Sequence, residues 1–199
     1  GLVTTLIVYR LASNPTGTSV VLLLLSGVAI AALAGAGIGV LTYLANDMAL
    51  RDLTLWQMGS IAGAQWLYVS LCLVTLALLS WRFHQDAAAL NALLLGESEA
   101  RHLGIDVDRL KLRLILLCAL GVGVSVAATG IIGFIGLVVP HLVRMMLGPD
   151  HRQLLPISAL LGAALLALAD IGARAFLPPA ELPVGLVTAL IGAPAARAD

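Results

Sequence analysis

Four stretches of this chain, residues 11–46, 53–81, 114–143 and 153–169, contain no Asp, Glu, Lys or Arg. Each reaches the roughly 17–25 apolar residues with which a helix crosses a bilayer. Nothing else in the sequence constrains the fold as strongly. In hydrocarbon every backbone N–H and C=O must be satisfied inside the protein, so such runs become helices unless they alternate as barrel strands do. None of them alternates. The expected fold class is therefore all-α, a polytopic helical membrane protein. Composition agrees: 60% of residues are hydrophobic and 11% charged, against about 25% charged in a soluble domain. A water-soluble enzyme is excluded on these grounds.

The apolar pattern predicts spans over 18–44, 66–81, 112–128, 131–147, 155–173 and, incompletely, from 182 onward. The run 114–143 exceeds one membrane thickness, and Thr129, Gly130, Gly133 and Gly136 supply a place for the chain to break, so a sharp helix-to-helix reversal is expected there. If the spans alternate, one side holds Arg10, Arg82, Arg101, Arg109, Lys111, Arg113, Arg144, Arg152 and Arg197, and the other only Arg51 and Arg174. That bias makes the first side cytoplasmic. Small residues at Gly27, Ala31, Gly35, Gly37 and Gly39, and at Gly121, Gly123, Ser125 and Ala127, are expected to let helices pack closely. On the outer side, 47–65 and 174–182 carry charges, Trp56 and proline breaks, as short interfacial helices do.

Both ends read as interrupted spans. The apolar opening closed by Arg10 looks like the tail of a helix, and the last apolar run turns polar at 195–199, so the chain is expected to be a fragment forming a single transmembrane domain over 1–199.

Several chemistries drop out. Lys111 is the sole lysine and the net charge is zero, which leaves no basic stripe for nucleic acid. Cys72 and Cys118 lie mid-span without a CxxC and read as small core residues. His84, His102, His141 and His151 show no metal-ligand spacing; His141, directly after Pro140 at a helix start or kink, reads as structural rather than as a heme or metal ligand. Ser125 lacks the surroundings of a nucleophile elbow. No GxxxxGK[ST] occurs, so the chain cannot cradle ATP phosphates, and any ATP-driven work requires a separate ATPase.

The longest polar stretch, 82–113, is expected to be cytoplasmic. Within it Gly96-Glu-Ser-Glu-Ala-Arg-His-Leu-Gly104 has a Gly start, an acidic first turn and a Gly stop, the pattern of a short helix outside the bilayer. Spacing alone permits a plain connector. The string Ala92 to Gly104, however, resembles the coupling segment of FecCD-type permeases, the membrane subunits of bacterial importers of iron-siderophore complexes, heme and cobalamin. Gly130-Ile-Ile-Gly-Phe-Ile-Gly-Leu-Val-Val-Pro-His-Leu-Val-Arg144 is similar to the family's most recognisable motif, which here comprises Gly133, Phe134, Gly136, Pro140, His141 and Arg144. Leu168-Ala-Asp-Ile-Gly-Ala-Arg174, Glu181 to Gly185 and Gly192-Ala-Pro194 are similar to the family's last two helices.

The resemblance implies a ten-span permease of which about six spans are present here, working by alternating access beside a second copy or a paralogue, with the path between them. It implies no bound cofactor, ATP and magnesium being used by a partner ATPase homodimer. It also implies that Gly96, Glu97, Ala100, Arg101, Leu103 and Gly104 seat in a groove of that ATPase. Outside, Arg174 would meet an acidic residue of a periplasmic or lipoprotein substrate-binding protein; the other reading of Arg174 is an i,i+4 pair with Asp170. Arg51 is a second docking candidate, with a solvated cluster with Asp47 and Asp52 as its alternative. Residues 18–44 and 182–194 are the implied channel wall. Strings 50–60 and 148–152 look most like the hemin-transporting branch, with a ferric siderophore and then cobalamin as other cargoes. The implied location is the bacterial inner membrane. From other classes, an ion-coupled secondary transporter would place ionisable groups at mid-membrane, where these spans hold almost none, and a non-functional truncated remnant would follow from the missing spans.

Overall fold

The computed structural model describes residues 1–14, 17–18, 20–176, 184–185 and 187–188. Helices dominate: α1 (Leu2–Ala12), α2 (Val20–Leu44), α3 (Asp47–Met58), α4 (Trp66–Leu93), α5 (Glu97–His102), α6 (Val107–Thr129), α7 (Ile135–Leu147) and α8 (His151–Phe176). One two-residue antiparallel ladder, β1 (Ser13–Asn14) with β2 (Gly17–Thr18), turns the chain between α1 and α2. Helices α2, α4, α6 and α8 are long and apolar enough to cross a membrane; α1 and α7 are shorter apolar helices.

Four of the expected spans are present as α2, α4, α6 and α8, but their ends differ for identifiable reasons. Helix α4 runs on past Trp81 to Leu93, because 82–93 contains no Gly or Pro and is rich in Ala and Leu, so the helix leaves the apolar run without breaking. The polar stretch 82–113 is thus mostly helix, not loop. Helix α8 starts at His151 rather than at 155, where Asp150 accepts from Arg152 N at 3.0 Å and caps the first turn. Of the sixth expected span only residues 184–185 and 187–188 are described; 177–183, 186 and 189–199 lie outside the described residues.

The reversal expected near Gly130 is there. Gly130 ends α6 at φ 73°, and α7 starts only at Ile135, so the expected span over 131–147 is a shorter helix of 13 residues. Phe134, at φ 67°, is the single non-glycine in the left-handed region among the described residues. That backbone costs a side-chain-bearing residue on the order of 1 kcal/mol or more. Pro140 lies inside α7 rather than at its start.

Helices α7 and α8 meet through Val139, Val143 and Leu154, with Ile135, Ile157, Leu161 and Leu165 packed around them. A second cluster gathers Ala169, Ala173 and Val184 with Ile61, Leu166 and Val187. Lipid offers apolar side chains no hydrophobic penalty, so these contacts hold helices together by close packing. Gly121 serves that role, since a Cβ there would lie 2.6 Å from Leu79 Cδ1 of α4. The glycines of α2 do not: at Gly27, Gly35, Gly37 and Gly39 a Cβ would meet nothing within 4 Å, so the packing expected of them is not made with the described residues.

Candidate functional site

At the end holding the basic residues, α5 is set by two glycines. Gly96 has φ 107° and Gly104 φ 83°, conformations that side-chain-bearing residues rarely adopt, and they bring the chain out of α4 and back toward α6 within a few residues. Ala100 is fully buried against neighbouring turns, and Ile105 N donates to Ala100 O at 3.1 Å, closing the segment. Glu97 and Glu99 occupy the first turn, Arg101 and His102 the last, which suits the helix dipole.

The charges of α5 are engaged within the chain. Glu97 pairs with Lys111 of α6, and Arg101 Nη2 meets Asp108 Oδ2 of α6 at 3.0 Å. Leu94, Leu95 and Leu103, by contrast, expose half or more of their surface beside it. A six-residue helix tied down by ion pairs and flanked by bare leucines presents a firm apolar edge to whatever lies outside the bilayer.

Two further junctions fasten α4 nearby. Arg113 Nη1 of α6 donates to Asp86 Oδ1 of α4 at 2.9 Å; the Asp86 side chain is nearly buried while that of Arg113 is half exposed, so the pair is only partly shielded from solvent. In the last turn of α4, Asn91 Nδ2 donates to Asp150 Oδ1 at 2.6 Å, while Asn91 Oδ1 accepts from His151 N at 2.8 Å. His151 Nδ1 also lies 2.8 Å from Asn91 Oδ1. The Asp150 carboxyl is held below its ordinary range, first by the Asn91 bond and then by the Arg152 N–H.

At the opposite end, backbone meets backbone. A Cβ on Gly130 would collide with Trp56 O, one on Gly59 would lie 2.5 Å from Ile131 O, and one on Gly185 would collide with Met58 O. Ser60 N donates to Thr129 O at 2.8 Å. The C-terminus of α3, the break between α6 and α7, and Gly185 therefore form one tight junction, possible because all three positions lack side chains.

Arg174 sits in the last turn of α8 with its Nε 2.9 Å from Asp170 Oδ2, so the i,i+4 pair weighed from the sequence is formed; 48% of the arginine side chain stays exposed. Arg51 lies on the exposed surface of α3 beside a shallow groove lined by Asp47, Leu50, Thr54, Leu55 and Met58. No ion pair joins it to Asp47 or Asp52 among the described residues.

Of the motif residues, Gly136 borders a cavity of about 580 Å³ between α4 and α6, with Cys72, Cys118, Gly121 and Ser125. His141 and Arg144 are exposed on α7, and a Cβ on Gly133 would meet open space. The structure keeps Gly96 to Gly104 together at one end and puts Arg174 in the last turn of α8, while the motif string meets the end of α3, the helix that carries Arg51, through Gly130. Asn91 and the contact between Gly59 and Gly130 were not anticipated. A glycine directly after α3 was the one available hint; an asparagine at a helix end gives none.

Known proteins resemble this chain closely. The hemin transport system permease protein of Yersinia pestis is 53% identical over 175 residues, 86% of this chain and 52% of that protein. The vitamin B12 import system permease protein of Vibrio cholerae is 51% identical over 172 residues, covering 86% and 52%. A solved metal-chelate type ABC transporter in an inward-facing conformation superposes with a TM-score of 0.88 at 34% identity, over 97% of this chain and 60% of its own. The chain thus spans about half the length of the curated relatives it matches. Its helices share the fold of that transporter and mark a multi-pass protein of the inner membrane. With the sequence profile of that family matching residues 1–195, the chain belongs to the FecCD transport family.

Proposed function

We propose that this chain forms part of the membrane permease of an ATP-driven importer, with α5 as the element that seats in a separate ATPase. The observation that carries the reading is α5 itself. Its backbone is fixed by Gly96 and Gly104, its charges are anchored to α6, and Leu94, Leu95 and Leu103 stand uncovered beside it. A rigid small helix with an apolar edge transmits displacement; a flexible connector does not. Gly96, Glu97, Ala100, Arg101, Leu103 and Gly104 have distinct parts in it: the glycines shape the turn, Ala100 and the two charges seat the helix on the chain, and Leu103 faces the partner.

At the other end, Arg174 and Arg51 are the cationic points offered to an acidic substrate-binding protein, Arg174 retaining half its surface beside Asp170. The working unit is two permease copies with paired ATPases; ATP binding and hydrolysis drive alternating access, and this polypeptide makes and breaks no bonds of its own. Heme is the first cargo reading, supported by the 53% identity to a hemin permease; cobalamin is the second, favoured by the 51% identity to a vitamin B12 permease. A ferric siderophore is the remaining chelate of the same class.

The test uses the full-length protein carrying Gly96→Trp together with Glu97→Arg. Tryptophan strains the turn at φ 107°, and the arginine faces Lys111. The expected result is loss of co-purification with the ATPase while the substrate-binding protein still docks. Undiminished ATPase association refutes the assignment of α5.

A further inference from the structure

We propose that Asn91 is a positioning residue through which displacement of α5 reaches α8, so that transport stays coupled to ATP hydrolysis. The inference rests on the coupling role proposed for α5 and goes beyond it, because α5 itself packs on α4 and α6. A route to α8 must therefore pass through one of those helices.

Asn91 occupies the right place for it. It lies in the last turn of α4, five residues before Gly96, and its amide uses both of its functional groups on one target: Nδ2 donates to Asp150 Oδ1 at 2.6 Å and Oδ1 accepts from His151 N at 2.8 Å. His151 Nδ1 at 2.8 Å from the same oxygen adds a third contact when that nitrogen carries the proton. The target is the N-terminus of α8, where Asp150 simultaneously receives the Arg152 N–H at 3.0 Å, so the α8 cap and the Asn91 contact share one carboxylate oxygen. A shift of the α4 end that pulls on Asn91 pulls directly on the first turn of α8. The bond to an ionised acceptor is stronger than a neutral one and fixed in direction. Helix α8 carries Arg174 at its far end, so the linkage joins the ATPase side to the docking side through one continuous helix of 26 residues.

Of the groups that Asn91 holds, the Asp150 carboxylate is exposed and His151 is half-buried at the start of α8, so water can replace the amide at the carboxylate, and the α8 cap from Asp150 to Arg152 N does not depend on it. Loss of the side chain therefore leaves the fold intact while cutting the linkage, which separates a positioning role from a structural one. The experiment is done on the full-length permease, reconstituted with its ATPase and binding protein in liposomes, measuring substrate imported per ATP hydrolysed. Asn91→Ala is expected to co-elute with the ATPase as the parent protein does, to keep basal hydrolysis, and to lose about tenfold in that ratio, within the range that coupling between two sites commonly spans. Should the alanine variant not co-elute, Asn91→Ser, whose hydroxyl is too short to reach α8, is expected to show the same loss.

Rescue supplies the readout that a structural role would not give. Asn91→Asp alone sets two carboxylates face to face and is expected to uncouple. Combined with Asp150→Asn, it restores the donor–acceptor pairing with the amide on the other helix, and the ratio is expected to recover. A parent-like ratio in the variants that remove the contact, or no recovery in the swapped pair, overturns the role of Asn91 while leaving α5 as the coupling helix. A parent permease that binds no ATPase overturns the reading of α5 and this inference with it.

Discussion

Arg174 illustrates that two roles which sequence reading sets against each other need not exclude one another. Its pair with Asp170 is formed, yet about half the guanidinium side chain remains in solvent, and an i,i+4 pair this exposed contributes only a few tenths of a kcal/mol. The arginine is thus held in orientation at little energetic gain, which suits a charge meant to meet another. Arg174→Glu is expected to weaken binding of the substrate-binding protein, most at low ionic strength, where exposed charges are least screened. Asp170→Asn, which keeps the positive charge and removes only its internal partner, is expected to leave docking intact. Titration calorimetry or surface binding across a salt series distinguishes the two, and an Arg174→Glu affinity equal to the parent at every salt concentration returns the residue to a purely internal role.

Among the elements, legibility followed the physics that each one answers to. Spans were readable because hydrocarbon tolerates few alternatives, and α5 because glycine stops and charge placement are local signals. The extension of α4 to Leu93 was missed since polarity, used to mark the end of a span, does not end a helix. The α3 junction was missed because it depends on residues far apart in the chain, Gly59 and Gly130, whose only trace is an absent side chain. Its energetics can be measured. Gly130→Ala forces a Cβ into Trp56 O at φ 73°, and is expected to destabilise the detergent-solubilised protein by about 2–3 kcal/mol, the sum of backbone strain and overpacking. Gly133→Ala, three residues on with open space around it, is expected to shift stability by no more than about 0.5 kcal/mol. Thermal unfolding of the two variants side by side checks the contrast; equal effects refute the steric account of the junction.

For the whole molecule, the orientation derived from basic residues fits where the structure puts the elements: α5, Asn91 and Asp86 gather at one end of the long helices, and α3, Gly130 and Arg174 at the other. In full-length protein lacking Cys72 and Cys118, Glu99→Cys is expected to react with a membrane-impermeant maleimide only when the cytoplasmic face is exposed, and Asp52→Cys from the outside of intact cells. The reverse labelling pattern overturns the orientation. The candidate site was legible as a set of separate stretches, not as a connected body, because the ties among them, Glu97 to Lys111, Asp86 to Arg113 and Asn91 to Asp150, are pairings across the fold that no local pattern announces. The glycine junction has a mechanical meaning in that body. With backbone against backbone and no side chain between to repack, the outer end of α6 is a pivot, while its inner end carries α5. Over the 23 residues of α6, at about 1.5 Å each, a tilt of about 5° swings the inner end by about 3 Å. On the coupling role proposed for α5, such a lever turns a small rotation of the helix into a stroke of one atomic diameter at the end where α5 is attached.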